Sequence, residues 1–295
     1  MRSGFVSIIG RPNVGKSTLL NTLINEKISI TSNPVQTTRN IIQGIYNEPD
    51  YQIVFMDTPG IHKPQGKLGK ILNKESYSLM KDVDAILFVI DVSAGIGAGD
   101  RFIMESLKST KVPVILVMNK IDLISDEKLF LMINEYKDYF NFADIVPVSA
   151  MKDDNVSRLI EVIKKYLKDD VLYFDTNIKT SNSIYFMISE CVREKLLQVT
   201  IEEVPHSLTC LTTNYEEEND LLRIGVDIIV DRDSIKKIVI GRHGERLKMV
   251  GTLARKELEE KFQKKVYLEL YVKTIKNWRE KEKFLKEFGF HEFGS

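Results

Sequence analysis

Cysteine is scarce in this chain: two residues in 295, Cys191 and Cys210. Neither stands in a CxxC or metal-finger spacing. Each lies in an apolar-alternating stretch, so both read as core residues rather than zinc ligands or a disulfide framework. That usage fits a reducing compartment. Net charge is also missing, with 42 Lys+Arg against 42 Asp+Glu, so overall charge names no partner. No apolar run approaches the roughly 20 residues of a membrane-crossing helix. Met1-Arg2-Ser3-Gly4 leads straight into an apolar run and lacks the plan of a signal peptide. Heptads and internal repeats are absent as well. These absences lead us to expect a cytoplasmic monomer, with peripheral contact at the cytoplasmic face of the inner membrane left open.

What is present bounds the rest. A chain of 295 residues with 43% hydrophobic content is comfortable for two domains with proper cores. Charge is unevenly placed. Residues 235–295 hold sixteen Lys+Arg against nine Asp+Glu, and the remainder holds 26 against 33. A basic tail suggests a local anionic partner, and solvated helix faces are the plainer reading.

The densest signal is Gly10-Arg11-Pro12-Asn13-Val14-Gly15-Lys16-Ser17-Thr18. Gly10, four residues, then Gly15-Lys16-Ser17 is the spacing of a phosphate-binding loop. An apolar run precedes it at 5–9, and Leu19, Leu20, Leu23 and Ile24 follow at helical spacing. Strand, glycine loop and helix are the context in which backbone N–H groups and a helix N-terminus cradle phosphates. Lys16 would reach the β- and γ-phosphates, and Ser17 would offer its hydroxyl to Mg²⁺.

A second motif selects the base. Asn119-Lys120-Ile121-Asp122 ends the apolar run 112–118, at the carboxyl end of a strand, where open α/β sheets bind ligands. The Asp122 carboxylate accepts from N1–H and the N2 amino group of guanine, and adenine has no donor at either place. Asn119 would face the other edge of the base and Lys120 would lie along the ring. Ser149-Ala150-Met151, after the strand 144–148, would close over the base through its backbone. In register, the two motifs read as a GTP site formed by Gly10, Asn13, Val14, Gly15, Lys16, Ser17, Thr18, Asp57, Gly60, Asn119, Lys120, Asp122, Ser149, Ala150 and Met151.

Between the motifs, Asp57-Thr58-Pro59-Gly60 follows the strand 51–56. Asp57 would hold the Mg²⁺ shell and the Gly60 amide would meet the γ-phosphate. The polar stretch 32–40 reads as a loop that orders on the γ-phosphate, with Thr38 as its Mg²⁺ contact and Thr37 as the alternative. Lys16, Thr38 and Gly60 are the catalytic candidates; Ser17, Thr38 and Asp57 are the Mg²⁺ ligands. Ile61 stands where Ras-like enzymes place a water-orienting glutamine. Hydrolysis should therefore be slow unassisted, with water positioned by backbone, a cation or a partner. Asn13 reads equally as a ligand for a monovalent cation such as K⁺ and as a polar residue steadying its own loop.

Strands at 5–9, 41–46, 51–56, 84–91, 112–118 and 144–148 alternate with helices at 16–25, 68–81, 99–108, 126–139 and 154–167. The fold class is therefore α/β: a P-loop domain with a mostly parallel sheet and helices on both faces, followed by an α+β domain. The expected divisions are 1–170, a linker at 171–183, and 184–295. In the tail, helix 184–199 precedes strands 207–215 and 221–230, with 216–220 as their turn. Helices 234–240 and 244–262, strand 266–272 and a last helix 276–288 complete it.

Ile240-Gly241-Arg242-His243-Gly244 lies between two of these helices. It is a GxxG loop, which KH domains use to clamp a nucleic-acid backbone. The motif is weak alone, since Gly66-Lys67-Leu68-Gly69 also matches. Its setting adds weight: two helices bearing Lys236 and Lys237, then Arg246 and Lys248, in the element order of a KH fold. Lys237, Ile240, Gly241, Arg242, His243, Gly244, Arg246 and Lys248 form the RNA-binding set. Ile238, Ile240, Leu247 and Val250 would line a groove for unstacked bases. A helix-helix turn in a structural or protein-docking domain is the other reading.

Taken together, residues 10–18, Pro34-Val35-Gln36-Thr37-Thr38-Arg39, Asp57-Thr58-Pro59-Gly60-Ile61, Asn119-Lys120-Ile121-Asp122, residues 202–207 and the GxxG loop resemble the Era-like family of bacterial ribosome-associated GTPases. The resemblance spans nearly the whole chain. It implies a type II KH domain, hydrolysis of GTP to GDP, binding near the 3′ end of 16S ribosomal RNA and a part in small-subunit assembly. It also implies potassium-dependent relatives, which favour Asn13 as the cation ligand.

Overall fold

A computed structural model describes residues 1–31, 38–61, 66–200 and 204–290. The amino-terminal sheet holds β1 (Arg2–Ile9), β2 (Ile42–Glu48), β3 (Tyr51–Asp57), β4 (Ala85–Asp91), β5 (Val114–Asn119) and β6 (Asp144–Val148), in the order β2-β3-β1-β4-β5-β6. All neighbours run parallel except the edge pair β2–β3. Strand side chains alternate between faces. Leu87 and Val89 of β4 point into one core, with α1 (Lys16–Ile24) and α5 (Val156–Lys164). Ile86, Phe88 and Ile90 point into the other, with α3 (Ala98–Leu107) and α4 (Asp126–Tyr139). Burial on both faces explains why these strands read as continuous apolar runs. The remaining helix, α2 (Gly66–Ser78), follows the Asp57-Thr58-Pro59-Gly60 turn.

The tail contains α6 (Ile184–Val199), the single turn α7 (Val204–Ser207), β7 (Leu208–Glu218), β8 (Leu221–Val230), α8 (Asp233–Ile240), α9 (Glu245–Phe262), β9 (Lys265–Thr274) and α10 (Glu282–Glu287). The pair β7–β8 is antiparallel and β8–β9 parallel. Helix, two strands, two helices and strand follow one another as expected, with α6 and α9 covering one face of the sheet through Val192, Leu196, Val250 and Ala254.

Three expectations need correction. The turn between β7 and β8 is Asn219-Asp220 alone, with Asn219 left-handed at φ 53°. The acidic run before it stays in the strand because Glu218 pairs with Arg223 and Glu217 with Lys264. The expected helix 276–288 is a short turn at Trp278–Glu280 followed by six-residue α10. Trp278 breaks it by turning fully inward. Its ring lies edge-on to Phe288 at 5.6 Å and stacked on Phe290 at 6.0 Å, and its Nε1–H donates to the Ser207 carbonyl at 3.3 Å.

The expected linker is a strap rather than a free tether. Asp169, just ahead of it, pairs with Ser3, and within it the Tyr173 and Phe174 amides donate to Gln52 Oε1. The Ile45 amide donates to Lys179, and Thr180 Oγ1 to the Gln43 carbonyl at 2.6 Å. The strap satisfies the backbone that edge strand β2 would otherwise present to solvent.

Trp278 also belongs to an apolar cluster that joins the two halves, with Leu68 and Leu72 of α2, Ile229 of β8, and Leu285 and Phe288. Truncating a buried tryptophan costs about 3–5 kcal/mol. Trp278→Ala should lower the calorimetric unfolding temperature of the tail domain and weaken its attachment to α2. An unchanged transition would remove this cluster from the account of the junction. Calorimetry suits the test because Trp278 is the chain's single tryptophan and its loss silences fluorescence.

Candidate nucleotide and nucleic-acid sites

The glycine loop lies between the carboxyl end of β1 and the start of α1. Gly15 has φ 97°, and a Cβ there would meet Asn119 Nδ2 at 2.3 Å, so only glycine fits this close approach. Lys16 is buried and its Nζ donates to the carbonyls of Gly10 and Arg11 at 3.2 and 2.9 Å. Burial lowers its pKa to about 8, and Asp57 acts in the opposite direction.

Ser17, Thr38 and Asp57 converge, as expected. Ser17 Oγ is 2.7 Å from Asp57 Oδ2 and 2.9 Å from Thr38 Oγ1, and Thr38 Oγ1 is 3.4 Å from Asp57 Oδ2. Asp57 is fully buried, which raises its pKa, while Lys16 and the three hydroxyls lower it. Its Oδ1 has no hydrogen-bond partner. An orphaned buried carboxylate oxygen beside two hydroxyls fits a hard divalent cation such as Mg²⁺, which prefers oxygen ligands. Ser29, whose hydroxyl donates to Asp57 Oδ2 at 3.2 Å, was missed. No motif marks it; Asn21 holds it by accepting the Ile28 and Ser29 amides. The alternative Thr37 lies outside the described residues, as do 62–65 of the loop after Gly60.

The base-reading loops are wired to the phosphate loop. Asn119 Nδ2 donates to the Val14 carbonyl at 2.8 Å, and its Oδ1 accepts from the Ala150 amide at 3.0 Å. Thr22 of α1 donates to the Ala150 carbonyl. Lys120 donates to the Asn13 carbonyl at 3.0 Å and pairs with Asp91 at 2.6 Å. Burial opposes the Asp91 charge, but Lys120 and Ser93 hold its carboxyl below the usual range. Asp91 was not picked out from sequence; its signal is a carboxylate closing an otherwise apolar strand. Asp122 is exposed and accepts from Ser149 Oγ at 2.6 Å, which fixes the orientation of its carboxylate. Met151 is 78% exposed, consistent with a contribution from its backbone alone. Ile61 is buried in the sheet core, and its amide donates to the Gly10 carbonyl. Its side chain therefore takes no part in water placement.

In the tail, Gly241 (φ 76°) and Gly244 (φ 79°) bracket Arg242 and His243, both exposed. A Cβ at Gly241 would stand 3.0 Å from the Arg246 amide nitrogen. No side chain caps α9, and the Glu245 amide at its start donates to the Arg242 carbonyl. Lys237 and Lys248 are exposed; Ile240 and Arg246 are half-buried, and Arg246 donates to the Ile238 carbonyl. The expected groove needs correction. Val250 is fully buried in the tail core and Leu247 packs against it. The exposed apolar residues here are Ile238, Met249 and Leu253. The spacing of 249 and 253, one helical turn apart, was the available signal.

Fold and sites together define a P-loop GTPase joined to a KH domain. Comparison with known proteins agrees. A family model described as 50S ribosome-binding GTPase matches residues 5–120, and one described as KH domain matches 203–279. The chain is 46% identical to GTPase Era of Staphylococcus epidermidis, and 47% to that of Staphylococcus haemolyticus. Each match covers 99% of this chain and 98% of the relative. A solved structure of an Aquifex aeolicus Era variant bound to GDP and AlF4⁻ is 38% identical, with a TM-score of 0.95 over 98% of this chain and 99% of that one. A structure of Era with MgGDPNP and nucleotides 1506–1542 of 16S ribosomal RNA is 39% identical, with a TM-score of 0.93 and the same coverage. The chain belongs to the Era family of GTPases.

A carboxylate's hydrogen bonds to guanine are worth about 1.5–3 kcal/mol each. Asp122→Asn should weaken GTP binding about 100-fold or more and improve binding of xanthosine triphosphate, whose base presents an acceptor at that edge. Unchanged preference in a competition titration would remove Asp122 from the base site.

Proposed function

We propose that this protein is a GTP-hydrolysing switch that binds the 3′ region of 16S ribosomal RNA and assists assembly of the small ribosomal subunit. The observation that carries this reading is the whole-chain match, both domains and their arrangement included, to Era in complex with MgGDPNP and that RNA. The proposed divisions are a nucleotide domain at 1–170, the strap at 171–183 and the KH domain at 184–295. Its working unit is a monomer in the cytoplasm, with peripheral membrane contact as an added role. Among the described residues no helix is long and apolar enough to cross a membrane.

In the nucleotide site, Gly10 to Thr18 wrap the phosphates with amides and Lys16 neutralises the β- and γ-oxygens. Ser17, Thr38 and Asp57 hold Mg²⁺, which supplies Lewis-acid stabilisation of charge on the transferring phosphoryl group. The Gly60 amide meets the γ-phosphate. With Ile61 in the core, water placement falls to backbone groups, to a K⁺ ion held by Asn13, or to a partner. Asn119, Lys120, Asp122, and the 149–151 backbone select guanine. In the KH domain, Gly241 to Gly244 let phosphates reach the α9 N-terminus, flanked by Lys237, Arg242, His243, Arg246 and Lys248. Exposed Ile238, Met249 and Leu253 provide apolar surface for unstacked bases.

The test is GTP hydrolysis by the full chain with and without a short single-stranded RNA matching the 3′ end of 16S ribosomal RNA. Stimulation by RNA is expected, and it should disappear in an Arg242→Asp, His243→Asp double variant whose GTP affinity is unchanged. For single strands, log K should fall by about 0.7 per neutralised phosphate per log unit of salt. RNA binding that survives the double variant would place the clamp elsewhere. Absence of RNA binding in the wild type would favour a tail that docks a protein.

A further inference from the structure

Both flanks of the 32–37 stretch are held by the KH domain, and on its amino-terminal helix or beside it. On the near side, the Thr31 amide donates to Glu194 Oε1 at 2.9 Å, and Lys27 pairs with Glu194 Oε2 at 2.6 Å. Glu194 is a buried residue of α6. On the far side, Arg39 is 2% exposed and donates to the carbonyl of Leu208, the first residue of β7. Its surroundings include Arg193 and Glu190 of α6, where Arg193 makes a bidentate pair with Glu190 at 2.7 Å. Arg39 directly follows Thr38, whose hydroxyl sits in the Mg²⁺ ligand set. Two residues further on, the Ile41 carbonyl accepts from Asn182 of the strap, so β2 is held from there onward.

The Arg39 guanidinium is thus a cation from one domain buried in the other, next to a second buried guanidinium. Helix α6 packs in turn on α9 through Val192 and Leu196 against Val250 and Ala254. Lys195 and Lys27 both pair with Glu257 of α9. The amino-terminal end of α9 carries the GxxG loop.

We infer that Arg39 is a positioning residue that couples Thr38 at the metal site to the orientation of the KH domain, with α6 and Glu194 as its counterpart. The inference rests on the RNA-binding switch proposed above and names the device behind it. While Thr38 engages the Mg²⁺ of bound GTP, Arg39 is seated against Leu208. When hydrolysis releases Thr38, the adjoining Arg39 loses its seat, and α6 and α9 reorient together. A nucleotide can shift a domain equilibrium only through such a difference in contacts between states.

The experiment uses the full chain with spin labels at exposed Lys137 and Lys256, one in each domain. Interdomain distances are measured with a non-hydrolysable GTP analogue and with GDP. Affinity for the 16S 3′-end RNA is measured in the same two states. In the wild type, the distance distribution should differ between states. The RNA affinity ratio should fall within the usual range of allosteric coupling, about 5–150-fold. In Arg39→Ala, the two distance distributions should coincide and the ratio should drop to within about twofold of one. Arg39→Lys should recover part of the ratio, and the isosteric Glu194→Gln should move both readouts in the same direction. A wild-type ratio and distance change in Arg39→Ala and Glu194→Gln would overturn the inference, and so would a wild type whose distances ignore the nucleotide. A wild type whose distances respond but which binds no RNA would sink the RNA reading and leave the coupling standing.

Discussion

A carboxylate buried at the carboxyl end of β3 organises the nucleotide half of this molecule. Asp57 is removed from water and needs compensation, which comes from Lys16 in the glycine loop and from the hydroxyls of Ser17, Ser29 and Thr38. Those residues come from three separate stretches of chain. Each must be delivered by its own element, so the sheet order and the helices behind it are in effect the scaffold of one charge. One oxygen stays without a protein partner, which makes the site a receptor for a cation rather than a closed ion pair. Burying a charge is tolerated where it is paired, and the open oxygen would let a bound cation complete that pairing.

Much of this was legible in the sequence, for reasons that differ by region. Strands buried on both faces leave unmistakable apolar runs, and the glycine loop admits few alternatives because Gly15 is pressed against Asn119. The proposed base-reading residues follow from guanine's donors, which call for a carboxylate. What stayed hidden depends on side chains that turn against local pattern. Trp278 breaks the helix expected at 276–288, because a large ring gains more from burial than a few residues gain from helical bonding. Val250 was placed in a surface groove although helical periodicity points it at the tail core. Ser29 and Asp91 had no motif, since their roles exist only once distant strands are adjacent. The strap looked like linker because polar composition does not distinguish a free segment from one whose backbone is paired with an edge strand.

The two domains meet through two kinds of contact, apolar and ionic, and the difference matters. The apolar cluster around Trp278 and Leu68 grips α2, the helix after the Gly60 turn. The ionic set of Lys27, Glu194, Lys195 and Glu257 grips the segment before residue 32. A second ionic contact links Lys67 with Glu282, and the Lys67 amide donates to Glu280. The elements that a γ-phosphate would arrange are therefore the same ones that touch the KH domain. No separate transmission element is needed, because the sensor surface and the docking surface share residues.

The strap sets the scale of that meeting. By lying along β2 as far as Asn182, it delivers the first turn of α6 next to the strand that begins just after Arg39. A chain of the same length left loose would let the KH domain wander. Pinned, it leaves about one residue of slack, so the domain's encounter with the nucleotide half is intramolecular. Short tethers give effective concentrations in the millimolar range. Individually weak junction contacts are then enough to hold the domain docked, and small changes in them are enough to let it go.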